Sequence, residues 1–251
     1  MIIFLKKRKE KKMKKPKVYI AMPCYDTMKV ETCVSILNTY AVLAKSGITC
    51  AFKSVKSSLI THARNLLTAG FMASDYDYML CVDADVEFEP TAVLRMLVPE
   101  KDIVVTPYRL KENPLKVSYP VEYLDPDNIK ILPFDLVELK SAPAGLMLIN
   151  RVVFKTLMAK HPNKKIKFDK EHQDKMDKEV GYSGAIEKYM YNFWDTSFKD
   201  HTWKGEDLAF SELVKRASMK IYANLDSWTT HHGSWGFTGK FGDSLIKKED
   251  K

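Results

Sequence analysis

A chain of 251 residues, 45% of them hydrophobic and 29% charged, can bury one sizeable core, which excludes a wholly disordered protein and makes a single α/β domain the simplest organisation. Its formal charge of +8 is concentrated at one end: residues 1–17 hold nine Lys or Arg against the single acid Glu10, so residues 18–251 are neutral. The basic charge therefore belongs to an arm rather than to a folded surface, and such an arm would attract anionic lipid, nucleic acid or nothing in particular.

Within the arm, the apolar run Met1 to Leu5 comes before the lysines, the reverse of a secretory signal, and is far too short to span a bilayer. Residues 1–16 read as a disordered, solubilising segment of a cytoplasmic protein, or as a weak peripheral contact of residues 1–17 with an anionic membrane surface. No specific nucleic-acid binding is expected. Cys24, Cys33, Cys50 and Cys81 show no CxxC spacing, and three of them fall in apolar strand or helix patterns, so neither a zinc site nor a disulfide framework is expected.

The first strand is the apolar run Val18 to Met22, stopped by Pro23. Val30, Val34, Leu37, Ala41 and Ala44 recur at helical spacing up to Gly47, and a second strand follows over Ile48 to Phe52. A helix fits Ser58 to Ala73. Tyr78 to Val82 lacks polar alternation, as a strand buried on both faces does, and ends in Asp83-Ala84-Asp85. A helix opened by Pro90 and a strand around Ile103 to Thr106 complete a βαβα alternation, which implies a doubly wound, mostly parallel sheet flanked by helices, with its ligand site at the carboxyl ends of the strands. Beyond it, residues 107–140 carry five prolines, Ala144 to Ile149 reads as a buried strand and Val152 to Ala159 as a helix. Residues 161–204 read as a long connection that is either a lid or disordered, and Glu206 to Ala217 as the last clear helix.

Two carboxylates one residue apart at the end of a buried strand can hold a hard divalent cation through oxygen. Such an ion stabilises the charge that builds on a departing nucleoside diphosphate without any proton transfer. Three other uses of the same acids are weaker. An EF-hand starting at Asp83 would need Gly and Glu where Phe88 and Leu94 stand. A haloacid-dehalogenase-like phosphatase with Asp83 as nucleophile would have Thr or Val in place of Glu87. A sugar nucleotidyltransferase would open with a Gly-rich loop where Met22-Pro23-Cys24-Tyr25-Asp26 stands.

The order Pro23-Cys24-Tyr25-Asp26, Ser58 to Asn65, Val82-Asp83-Ala84-Asp85, Ala144-Gly145-Leu146-Met147, Gly205-Glu206-Asp207 and His231-His232-Gly233 resembles GT-A glycosyltransferases, in particular the family 2-like enzymes of bacterial and viral glycan synthesis. The resemblance spans about residues 17–240. It implies one GT-A catalytic domain with a nucleotide-binding half (17–106) and an acceptor-binding half (107–240), followed by a charged tail (241–251).

The same resemblance implies site roles. Pro23, Tyr25 and Asp26 would line the nucleotide pocket, and Arg64 would reach the nucleotide or its diphosphate. Asp83 would contact the ribose or the metal's water shell, Asp85 would bind Mn²⁺ or Mg²⁺ directly, and His231, or else His232, would complete metal or diphosphate coordination. Gly145 would let backbone approach the donor sugar. Asp207, with Glu206 second, would be the base that takes the acceptor's proton. Trp203, Trp228, Trp235 and Phe237 would stack on sugar or pack in the core. The Gln/Arg/Trp motif of processive synthases is missing after the acidic pair. The implied activity is therefore transfer of a single hexose-type sugar from a nucleotide-sugar to a glycan, lipid-linked or protein acceptor; the alternatives are the Asp83 phosphatase and a carbohydrate- or nucleic-acid-binding module without chemistry.

Overall fold

The computed structural model describes residues 15–112, 117–199 and 201–245. Most of the basic arm and the last six residues lie outside them.

Lys17–Cys24 forms β1, and its six inner residues are all buried because the strand has neighbours on both edges and helices on both faces. Helix α1 (Val30–Lys45), β2 (Thr49–Lys56), α2 (Ile60–Ala73) and β3 (Tyr78–Val82) follow. Both β2 and β3 pair with β1 in parallel, which a tight hairpin could not connect, so α1 and α2 act as the crossovers. The chain continues through β4 (Val86–Phe88), α3 (Ala92–Leu97), β5 (Ile103–Val105), β6 (Glu122–Tyr123), β7 (Ile131–Leu132), β8 (Leu136–Ser141) and β9 (Leu146–Asn150). It closes with α4 (Arg151–Lys160), α5 (Lys170–Val180), α6 (Ala185–Tyr189), β10 (Ser197–Lys199), β11 (Thr202–Lys204), α7 (Glu206–Arg216), β12 (Ile221–Asn224), β13 (Trp228–His232) and β14 (Gly236–Lys240).

Among the described residues the main sheet has nine strands in the order β2-β1-β3-β9-β5-β12-β8-β6, with β7 also on β8. Strands β9 and β8 run against all their neighbours, and the others share one direction, so the sheet is mixed but mostly parallel. Alternate residues of β1 serve two cores. Tyr19 and Ala21 face the layer holding Leu66, Phe154, Val180, Ile186 and Phe210, whereas Val18, Ile20 and Met22 face Ile36, Leu43, Val93 and Met96. The sheet is therefore covered by α2 and α4–α7 on one side and by α1 and α3 on the other. Each large apolar side chain so buried stabilises the fold by about 1.5–3 kcal/mol relative to exposure.

Several local expectations need correction. Ser57 Oγ accepts from Leu59 N–H at 3.1 Å, so the second helix starts at Ile60 rather than Ser58. Pro90 does not open α3, which begins at Ala92, and residues 86–88 are taken up by an unanticipated strand. Residues 161–199 are neither an unstructured lid nor a disordered connection. Asp169 caps α5 by accepting from His172 N–H, Gly181 ends it in the left-handed region at φ 85°, and α5 and α6 pack on α2. Tyr191, Phe193 and Trp194 are buried, with Trp194 stacked on Phe210 at 4.0 Å. The packed region also passes residue 240, because Phe241 is fully buried in the core. The cysteines are free, Cys81 buried and the other three half-buried. Among the described residues no helix is long and apolar enough to cross a membrane.

Candidate active site

The main sheet delivers the acidic turn. Val82 is the last β3 residue to pair with β9, and Asp83 N–H donates to Gly145 C=O at 2.9 Å, so the turn starts at the shared end of two buried strands. Arg64 reaches the same place from α2, its side chain only 3% exposed. Its Nη2 donates to Asp83 Oδ1 at 2.7 Å, its Nε lies 3.3 Å from Glu206 Oε1, and its Nη1 donates to Ala144 C=O at 3.4 Å. The guanidinium also sits 5.3 Å from the centre of the Trp194 ring. Burial opposes its charge, but Asp83 and Glu206 more than compensate and raise its pKa. Arg64 thus holds Asp83 by a hydrogen bond and Glu206 by an ion-pair contact, while its buried Nε has no hydrogen-bond partner of good geometry.

Gly145 is tightly constrained. A Cβ there would come within 2.4 Å of the Tyr108 ring and 2.6 Å of Asp83 Oδ2, so the close approach it permits is that of Tyr108 and Asp83 to each other's side of the turn. Tyr108 is buried, and that burial, helped by Asp83, keeps its hydroxyl protonated far above the ordinary tyrosine range.

A second, smaller sheet positions the other acid. Strand β4 follows the acidic turn directly and pairs antiparallel with β13, placing His231 opposite Val86. His231 Nε2 lies 3.6 Å from Asp85 Oδ1, its Nδ1 is 2.9 Å from the Arg109 carbonyl, and its ring is 4.5 Å from that of Tyr108. A carbonyl only accepts, so Nδ1 carries a hydrogen, and Nε2 is the ring nitrogen turned toward Asp85. Lys111 forms an ion pair with the other Asp85 oxygen. Burial pushes the Asp85 carboxyl up, yet hydrogen bonds from His231 and Lys111 outweigh it and bring the group down to about 2. On the opposite face of β13, His232 pairs with Glu87 at 2.9 Å.

Glu206 and Asp207 form the first turn of α7, where the helix dipole favours negative charge. Burial raises the Asp207 carboxyl, and the neighbouring Glu206 raises it further, although Leu208 N–H donates to it at 2.8 Å. Arg64, Asp83, Glu206, Asp207, Tyr108, Asp85 and His231 thus converge from separate segments on one edge of the sheet.

Other expected members stand further out. Pro23 is buried at the end of β1, whereas Tyr25 and Asp26 are exposed, and Asp26 pairs with Lys56 at 3.0 Å. Their loop touches the acidic turn through Lys29 N–H, which donates to Ala84 C=O at 2.9 Å. The expected metal trio is not gathered: Asp83 faces Arg64, while Asp85 and His231 face each other. Among the described residues no three His, Cys, Asp or Glu side chains lie together as a metal cluster. Phe237 is core, and Trp203 and Trp235 are exposed.

No protein-family model matches the chain, and no curated protein sequence matches it. Among solved structures it is similar to A197 from STIV, at 16% identity and a TM-score of 0.47, over 87% of this chain and 86% of that one. It is similar to GalNAc-T7, crystallised with UDP, GalNAc and Mn²⁺, at 10% identity and a TM-score of 0.48, over 86% of this chain but only 43% of that one. A glycosyltransferase involved in glycosylation of the major capsid of PBCV-1 is similar at 11% identity and a TM-score of 0.33, over 63% and 73% of the two chains.

Tyr108 and Lys111 were not anticipated from the sequence. The usable signal was their place: they follow the buried strand Ile103–Val105, and ligand sites gather at such strand ends.

Proposed function

We propose that the chain is a GT-A-type glycosyltransferase that moves a single sugar from a nucleotide-sugar to a hydroxyl of a glycan, lipid-linked or protein acceptor. The observation that carries this reading is the convergence of Arg64, Asp83, Asp85, Glu206, Asp207 and His231, contributed by segments far apart in sequence, at the carboxyl end of β3.

We infer a divalent ion such as Mn²⁺ or Mg²⁺ at Asp85 and His231, two protein donors to which the donor's phosphate oxygens would add the rest. Asp85 offers carboxylate oxygen, His231 brings its Nε2 to the same place, and the ammonium group already beside Asp85 marks a position that accommodates positive charge. An ion held there would neutralise charge on the leaving diphosphate. Asp83, fixed by Arg64, would contact the ribose or the metal's water shell. Asp207 takes the proton from the acceptor hydroxyl, and its raised pKa makes it a better base than an ordinary carboxylate. An Asp83 phosphatase nucleophile is disfavoured by its ion pair with a buried guanidinium.

We assign the acceptor to a cavity of about 580 Å³ along α7, lined by polar residues such as Lys164, Thr196 and Lys204 and by apolar Phe193 and Leu213; Asp207 stands at the start of the same helix and does not line it. The β10–β11 hairpin at its rim carries Phe198 and Trp203 directly opposite each other, both 66% exposed, as a platform for a sugar ring. The test is thermal-shift titration with nucleoside diphosphates and nucleotide-sugars, with and without Mn²⁺, followed by a transfer assay. Metal-dependent stabilisation by one nucleotide class supports the reading, and indifference to every nucleotide refutes it.

A further inference from the structure

Lys111 shares Asp85 with His231, and three features make its position a built one. The Leu110 N–H, one residue before it, donates to Ser118 C=O at 3.0 Å. Its stem crosses Gly233, where an added Cβ would lie 3.1 Å from Lys111 Cδ, so a larger residue would crowd that path. The turn beneath is held by Gly233 N–H donating to Trp235 C=O and His232 N–H donating to Asp85 C=O, both at 2.8 Å.

The two Asp85 oxygens are thus divided between Lys111 and His231. A fixed positive charge beside a carboxylate lowers its affinity for another cation, and Lys111 is 31% exposed, so it can leave for water without the desolvation that locks Arg64 in place. We propose that Lys111 is a tethered counter-ion that occupies Asp85 in the absence of metal and is displaced when a divalent cation binds. This rests on the reading of Asp85 as a metal holder. Ion uptake is then an exchange of one cation for another, weak for the free protein and strengthened when a diphosphate offers the released ammonium a new anionic partner.

The experiment is a Mn²⁺ titration of the full chain without nucleotide, reading free Mn²⁺ by electron paramagnetic resonance. Lys111→Met and Lys111→Gln remove the charge, and either serves if the other fails to fold; Lys111→Arg retains it. The neutral variants are expected to bind one Mn²⁺ about tenfold tighter than the parent, with the arginine variant close to the parent. Equal or weaker binding by the neutral variants, with the parent binding measurably, overturns the counter-ion role and leaves the metal reading intact. Equal tightening in Lys111→Arg overturns it as well, since charge would not be the agent. If neither parent nor neutral variants bind Mn²⁺, both readings fall together.

Discussion

Asp83 and Asp85 are two residues apart and each has a basic partner, yet they live in different media. On the inner side Arg64 and Asp83 are 3% and 19% exposed, and on the outer side Lys111 and Asp85 are 31% and 37% exposed. The inner pair is dry and shared with Glu206, so removing one member strands the other charges in the protein. The outer pair is wet, and such pairs contribute at most about 1 kcal/mol because water replaces either partner. One turn therefore carries a fixed strut and an exchangeable contact, and burial alone distinguishes them.

Breaking the strut is the severest test of that contrast. Arg64→Ala is expected to lower stability by roughly 3–5 kcal/mol in urea unfolding and to abolish transfer with it. A loss below about 1 kcal/mol would make the two sides equivalent.

Next in size is Asp207→Asn, for which transfer should fall about 10²–10⁴-fold. The carboxyl is raised above its ordinary 3.8 by burial and by Glu206, so the acid limb of kcat/KM should lie above that value. A raised acid favours folding while protonated, and the advantage is lost as pH rises through the folded-state pKa. Asp207→Asn should therefore be more stable than the parent at pH 7, with the gain vanishing in strong acid; a less stable variant at pH 7 contradicts the direction of the shift.

On the outer side Asp85→Asn should cost about 10²–10³-fold in transfer while lowering stability at neutral pH by at most about 1 kcal/mol, a loss that disappears in strong acid. Full metal-dependent turnover in this variant would remove Asp85 from the site. The smallest effect is expected furthest out, where Trp203→Ala should raise the acceptor KM about fivefold, equivalent to about 1 kcal/mol of stacking, with a smaller change in donor KM. Steady-state kinetics with both substrates varied separates the two.

Legibility in the sequence followed the range of the interactions. The strands around 18–22 and at 78–82 were readable because burial on both faces leaves a continuous apolar run, and the acidic turn was readable as its abrupt end, although the first strand runs on through Pro23 to Cys24 instead of stopping there. The extension of β2 to Lys56 and the strand at 86–88 were not, since their backbone partners, Cys24 and the Thr229–His231 stretch, determine them and lie elsewhere in the chain. Residues 161–199 look like a connection because their polarity dominates any local window, while Trp194 is anchored by Thr68 and Asn65 from α2. Arg64, Asp83, Asp85, Glu206, Asp207 and His231 could be picked out singly as candidates, whereas Tyr108 and Lys111 could not. What their spacing withheld was orientation: which way Arg64 faces, and that a lysine in the proline-rich stretch returns to Asp85.

The β4–β13 ladder pairs His231 with Val86, and the next residue along, His232, projects to the other face against Glu87. Because neighbouring strand residues alternate faces, a slip of a single position would present the wrong imidazole to the acidic turn with every side chain intact. The three-stranded ribbon thus serves as a gauge, and an insertion of one residue between Ser227 and Thr230 is enough to miscalibrate it.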